Sequence, residues 1–298
     1  IAFLSGISTD QPMDTNTLSA FVTVAEQGSF SAAADRLYLT QSAVSKRVAQ
    51  LEDQLGNRLF DRIGRNITLT EAGHALLPRA RQILLQLDDA RRAIGNLSGT
   101  IRGRLSVAAS HHISMHRLPP ILRTYSQQYP DVELDLRFAE SEVAYDGVMR
   151  GELELALITL SPVPDANILS QAIWQDKLCY VVAKDHPLAG RGKVALRELT
   201  AYKAILPDEQ TFTHQLVQEL FDRHKLALNS AMSTNYMDTI RMMVSIGLGW
   251  SLLPETMIGD ELTELAVDAE PVYRQLGYIH HRNRTLSNAA RAFVKMLG

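Results

Sequence analysis

From residue 76 to residue 97 the apolar positions Leu76, Ala80, Ile83, Leu87, Ala90, Ile94 and Leu97 step by 4, 3, 4, 3, 4 and 3. That is an a/d seam sustained over three heptads. The seam is narrow, and its flanks carry Arg, Gln and Asp, which suits a partner helix. The competing reading is an amphipathic helix lying on its own domain. A helix over 71–98 would be about 42 Å long. Pro78, near its start, is placed to kink it. Such a helix divides the chain into a short head before it and a long body after it.

The head reads as helical. Leu18, Phe21, Val22 and Ala25 fall at i, i+3, i+4 and i+7, and Gly28 stops that run. Ser29 or Ser31 can cap a short second helix, and Thr40 a third that ends at Gly56. The third helix hides Val44, Val48, Leu51 and Leu55. Its opposite face carries Gln41, Ser42, Ser45 and Lys46, with Arg47 beside it. Leu59-Phe60 and Ile67-Thr68-Leu69 then flank Gly64-Arg65-Asn66 as a short hairpin. Three helices, a tight turn and a hairpin make a winged helix-turn-helix over 13–70. The exposed face supplies what a major-groove reader needs. Gln pairs bidentately with adenine and Lys or Arg with guanine. Arg62 and Arg65 on the hairpin would reach a phosphate or a minor groove.

The body alternates. Gly95, Ser98, Gly99 and Gly103 mark a linker. Beyond it, strand-like runs at 105–109, 132–136, 153–158, 178–183, 204–206, 250–253 and 276–279 are interleaved with helical ones. This predicts a mostly parallel sheet with helices on both faces, in two lobes with a ligand cleft between them.

The run from Phe21 through Leu84 closely resembles the N-terminal domain of LysR-type transcriptional regulators. The matching features are A-x-x-L at Ala34 to Leu37, T-Q-S-A-V-S at Thr40 to Ser45, L-E-x-x-L-G-x-x-L-F at Leu51 to Phe60, and L-T-x-A-G at Leu69 to Gly73. Looser matches follow in D-H-P-L at Asp185 to Leu188 and G-L-G-x-x-L-L-P at Gly247 to Pro254. The resemblance implies DNA contacts from Gln41, Ser42, Ser45, Lys46 and Arg47, with Arg62 and Arg65 on the wing. It implies a periplasmic-binding-protein-like (type II) effector domain over 101–298. Lobe I would comprise about 101–174 and 272–298, and lobe II about 175–271. Its cleft would be formed by Ser110, His111, His112 and Thr159 facing Thr211, Phe212, Thr234 and Asn235. Those hydroxyls, imidazoles and amides suit a carboxylate or another small anion. His111-His112 read either as effector contacts or as a capping or surface pair. The expected partners are double-stranded operator DNA, a small-molecule effector, a second and further copies of the chain up to a tetramer, and RNA polymerase.

Composition first argues against DNA, since the formal net charge is −3. Residues 13–104, however, carry twelve Lys or Arg and nine Asp or Glu, a net of +3, which leaves −6 for the rest. The acidity belongs to the body, and the head keeps its cations on the third helix and hairpin. One cysteine excludes a disulfide framework and a multi-cysteine metal site. Cys179 reads as a small core residue, with a redox sensor as the alternative. A binding protein whose head only mediates assembly is another alternative. No phosphate loop, nucleophile elbow or H-E-x-x-H motif points to an enzyme or a metal site. The opening run IAFLSGISTDQP reads as an upstream extension or an expression remnant, and the expected compartment is the cytoplasm.

Overall fold

A computed structural model describes residues 13–63 and 66–298, and the chain divides into two units, 1–95 and 96–298. Gly64 and Arg65, the latter a predicted wing contact, lie outside the described residues.

The first unit runs α1 (Thr15–Gln27), α2 (Phe30–Leu37), α3 (Gln41–Leu55), β1 (Phe60–Ile63), β2 (Asn66–Leu69) and α4 (Glu71–Asn96). The helix starts have local causes. Asp14 Oδ1 accepts from the Thr17 amide at 2.8 Å, Ser29 Oγ from Ala32 at 3.3 Å and Thr40 Oγ1 from Ala43 at 3.2 Å. Each cap satisfies an amide that its first turn leaves unpaired. Of the two candidates for α2, Ser29 is the cap. Phe21, Val24, Ala33, Val44, Val48, Leu51 and Leu59 fill the core, and Phe21 and Phe30 pack on the Phe60 ring at 5.4 and 5.9 Å. β1 and β2 pair antiparallel as the wing. Glu52 Oε1 ties α3 to that wing by accepting from the Leu59 and Phe60 amides at 2.7 and 3.3 Å. A Cβ on Gly73 would overlap the Leu59 carbonyl oxygen. The glycine of the Leu69–Gly73 run is therefore a steric requirement of packing α4 against β1.

The heptad seam is divided. Leu76, Leu77, Ala80 and Leu84 pack on the head's own core, and Arg81 reaches Glu26 at 3.2 Å. Further along, Ile83, Ala90 and Ile94 are exposed, Ile94 by 71%. The helix ends at Asn96, so Leu97 lies just beyond it, and Pro78 sits inside an unbroken helical span.

The second unit contains β3 (Gly103–Ala109), α5 (His111–His116), α6 (Leu118–Gln128), β4 (Val132–Phe138), α7 (Ser141–Met149), β5 (Leu155–Thr159) and β6 (Ile168–Ala183). It continues with β7 (Val194–Ala195), β8 (Ala204–Leu206), α8 (Phe212–Arg223), β9 (Ser230–Ser233), α9 (Met237–Ser245) and β10 (Ser251–Pro254). β11 (Leu262–Glu264), β12 (Val267–Asp268), β13 (Val272–His281) and α10 (Asn288–Lys295) complete it. The main sheet is ordered β10-β6-β13-β5-β3-β4, with β11 also on β6. The expectation of a mostly parallel sheet is corrected here. β3 pairs parallel with β4 and β5, but β13 pairs antiparallel with β5 and β6, and β10 and β11 pair antiparallel with β6. The cause is two long strands, β6 and β13, that run in opposite directions from one hydrophobic core into another. Ile173, Trp174 and Leu276 pack with Leu105, Leu157 and Phe293, whereas Leu178, Tyr180 and Val272 pack with Val217, Phe221 and Trp250. These two cores make two lobes. At the bulge between Leu276 and Gly277, a Cβ on Gly277 would overlap the Gln171 carbonyl oxygen, so the crossing strands approach closely there. Among the described residues no helix is long and apolar enough to cross a membrane.

Candidate functional site

On α3 the apolar stripe is fully used. Val44, Val48 and Leu51 are buried, which turns Gln41, Ser42 and Lys46 outward, with Ser45 and Arg47 half-buried beside them. Ser42 Oγ lies 3.0 Å from the capping Thr40 Oγ1, so it is held at the first turn. Before α3 stands Tyr38, 95% exposed, with φ 54°. The Leu39 amide donates back to the Ala34 carbonyl at 2.9 Å, which closes the turn between α2 and α3. Arg62 stands on β1 opposite Ile67.

In the second unit an open cleft of about 950 Å³, counting the space open to solvent, lies between the lobes. Of the predicted effector residues, Ser110, His111, His112, Thr159, Thr211 and Asn235 line it together. Phe212 and Thr234 do not, and this corrects the expectation. The Phe212 ring turns into the lobe I cluster beside Tyr145, at 5.7 Å between centroids. Thr234 Oγ1 faces its own turn, 3.5 Å from the Tyr236 amide. Asn235 lines the wall but is already occupied: it accepts from the Asp208 amide at 2.9 Å and donates to Asp208 Oδ2 at 3.2 Å.

The structure adds residues that sequence reasoning missed. Glu140, Glu142, His116, Tyr236, Asp238 and Arg274 also line the cleft. Two contacts join its lips. Glu142 Oε1 accepts from the Phe212 amide at 2.7 Å, and the His111 and Tyr236 rings lie 5.0 Å apart. Behind the wall, Asp176 of β6 sits opposite Arg274 of β13 in the strand register. Arg274 donates Nε and Nη2 to Asp176 Oδ2 at 3.2 and 2.8 Å, and Arg117 donates to Oδ1 at 3.1 Å. Both Asp176 and Arg274 are buried. His112 Nε2 lies 3.1 Å from Asp176 Oδ2, and both ring nitrogens are buried without a hydrogen-bond partner among the described residues.

The protonation states follow from these surroundings. Burial would raise the Asp176 carboxyl, but His112 and Arg274 outweigh that and hold it well below the usual carboxylate range. Burial lowers His112 against the pull of Asp176, so the ring is neutral at neutral pH. Burial raises Glu142 above an ordinary glutamate. Cys179, buried in β6, has its thiol pushed up to about 12 by burial and by Glu264, opposite to what a reactive thiolate requires. Among the described residues no group of three or more His, Cys, Asp or Glu is placed to hold a metal ion.

Residues 15–74 match the family model described as the bacterial regulatory helix-turn-helix protein, lysR family, and residues 98–298 match the LysR substrate binding domain. The chain belongs to the LysR family. It is a DNA-binding transcriptional regulator with a helix-turn-helix head and a ligand-binding body. Over 282 residues, 93% of this chain and 94% of the other, it is 33% identical to the HTH-type transcriptional regulator YeiE of Escherichia coli strain K12. It shares its fold with full-length CbnR complexed with its target DNA, with a TM-score of 0.60, 23% identity, and coverage of 95% of this chain and 98% of that one. It also shares the fold of the Synechocystis PCC6803 CcmR regulatory domain in complex with 2-PG, with a TM-score of 0.59, 24% identity, and coverage of 66% of this chain and 96% of that one.

Proposed function

We propose that two copies of this LysR-family chain read paired operator half-sites through α3, and that a small effector in the interlobe cleft adjusts how they sit. The observation that carries the reading is the division of α3. One face is locked into the head's core, and the other presents Gln41, Ser42, Ser45, Lys46 and Arg47 near its N-terminal half. This is the part of a recognition helix that meets base edges. Arg62 and Arg65 of the wing add contacts to the flanking phosphate or minor groove. The domains divide at 13–70, 71–98 and 101–298, and the outer seam of α4 around Ala90 and Ile94 pairs the copies. Two such dimers form a tetramer. Ser110, His111, His112, Thr159, Thr211 and Asn235 face the effector, and β6 and β13 are the strands about which the lobes turn. The protein works in the cytoplasm as a regulator rather than a catalyst, and the DNA-bound assembly meets RNA polymerase.

The test is footprinting with Lys46→Ala and Arg47→Ala. Specific protection should weaken in both. Losing one phosphate-contacting cation should also lower the salt slope by about one. Unchanged protection in both variants means that α3 is not the reading helix.

A further inference from the structure

Each of the first three helices ends on a residue in the left-handed region. Gly28 closes α1 with φ 60° and Gly56 closes α3 with φ 64°. The residue that closes α2 is Tyr38, with φ 54°. Glycine takes that conformation freely, whereas a residue with a Cβ is strained in it. The Tyr38 amide donates to the Asp35 carbonyl at 3.2 Å and the Leu39 amide to the Ala34 carbonyl at 2.9 Å. Those are backbone bonds that a glycine at position 38 would make as well.

Packing does not offset the strain. Leu37 and Leu39, on either side, pack on the head's core, but Tyr38 is 95% exposed. A lone apolar side chain at a relaxed surface position is ordinary. Here an aromatic ring is held outside the core, on a strained residue, in a cap that two neighbouring helices fill with glycine.

The place of the turn gives the ring a use. It joins α2 to α3 just before Gln41, at the end of α3 that meets base edges in a helix-turn-helix. In that motif the helix ahead of the reader crosses the phosphate backbone while the reader enters the groove. The residue between the two therefore stands at the groove's edge, beside a phosphate. Tyr is among the side chains that donate to phosphate oxygens, and such contacts fix register and orientation without reading sequence. Its phenol is a neutral donor on a stiff side chain with two rotatable bonds, so little freedom is lost when it is fixed.

Resting on the assignment of α3 as the reading helix, we infer that the Tyr38 hydroxyl donates to an operator phosphate at the edge of the groove that α3 enters. Tyr38 is then a positioning residue, which sets how α3 sits and reads no base. The probe is a duplex selected by the full-length wild-type protein from a random-sequence pool, with one methylphosphonate placed in turn at each phosphate of the protected half-sites. Tyr38→Phe keeps the ring and removes the donor, and should bind the unmodified duplex about tenfold more weakly, as expected for a lost hydrogen bond to a charged group. Its salt slope should stay at the wild-type value, because a neutral phenol displaces no counterion. One methylphosphonate position should weaken the wild type by a similar factor and leave Tyr38→Phe unchanged. Tyr38→Gly, which relaxes the turn and removes the ring, should bind no better than Tyr38→Phe, and urea titration establishes that both variants are folded. Wild-type affinity in Tyr38→Phe, or a loss that couples to no single phosphate, overturns the contact. If Lys46→Ala weakens binding to the same duplex while Tyr38→Phe does not, the contact fails and the reading of α3 stands. Unchanged binding in both Lys46→Ala and Arg47→Ala removes α3 as the reading helix and the inference with it.

Discussion

Asp176→Asn is the sharpest test of how the body is held together. Asp176 lies opposite Arg274 where β6 and β13 pass from one lobe's core to the other's, and Arg274 is 2% exposed. The substitution keeps the shape and removes the charge, so that a guanidinium is buried without a counterion. Breaking one side of such a pair costs about 3–5 kcal/mol. For a unit of this size each kcal/mol moves the melting temperature by about 2–4 °C, so the second unit should melt about 6–20 °C lower. Calorimetry of wild type and variant at neutral pH measures the shift, and urea titration supplies the free energy. A second arm separates a broken pair from a merely altered site. Adding Arg274→Met removes the stranded charge and should recover most of the loss, because a buried pair taken as a unit is nearly neutral against apolar replacement. The pH dependence has a definite sign. The folded carboxyl is held below its unfolded value, so its contribution is complete above about pH 4 and fades as pH falls through the lower folded value. The gap between wild type and variant should therefore close only in strong acid. A loss under about 1 kcal/mol, or a double variant less stable than Asp176→Asn, would refute the reasoning.

Other expectations follow from single features. Ile94→Glu places a charge on the exposed outer seam of α4, and sedimentation velocity should then find monomer where the wild type is dimeric or larger. Tyr38→Val forces a β-branched residue into the left-handed turn before α3 and should cost about 1–2 kcal/mol in urea titration. Tyr38→Gly, which suits that turn, should stay within about 1 kcal/mol of wild type. Cys179 should resist thiol reagents and peroxide in the folded protein. Rapid modification together with an altered footprint would restore the redox-sensor alternative.

The head was legible because its determinants are local. Caps at Ser29 and Thr40, stops at Gly28 and Gly56, and the stripe of Val44, Val48 and Leu51 all act within one or two turns. The strands of the body were legible only where they are apolar. The run 178–183 announced the end of β6, but its beginning, Leu169 to Ala172, is exposed at every position and carries no apolar alternation. What was missed there is the crossing of β6 and β13 between lobes, which makes the sheet mixed rather than parallel. A polar residue in each crossing strand, Asp176 before an apolar run and Arg274 within one, was the available signal. Their pairing is a matter of register between segments about a hundred residues apart, which spacing along the chain does not encode.

The cleft shows how tertiary structure can fill a seat that a local rule leaves open. Hydroxyls at strand ends and free amides at the start of α8 do favour an anion, and the sequence was read on that rule. Tertiary structure then brings Glu142, on α7 and seventy residues away in sequence, onto the Phe212 amide, so the anion the helix asks for is built in. The starts of α5 and α9, which also line the cleft, carry no side-chain cap, so the same rule is not answered there from within the protein. Spacing along the chain could not show the filled seat, because the carboxylate that caps α8 comes from α7 and not from the first turn of α8 itself.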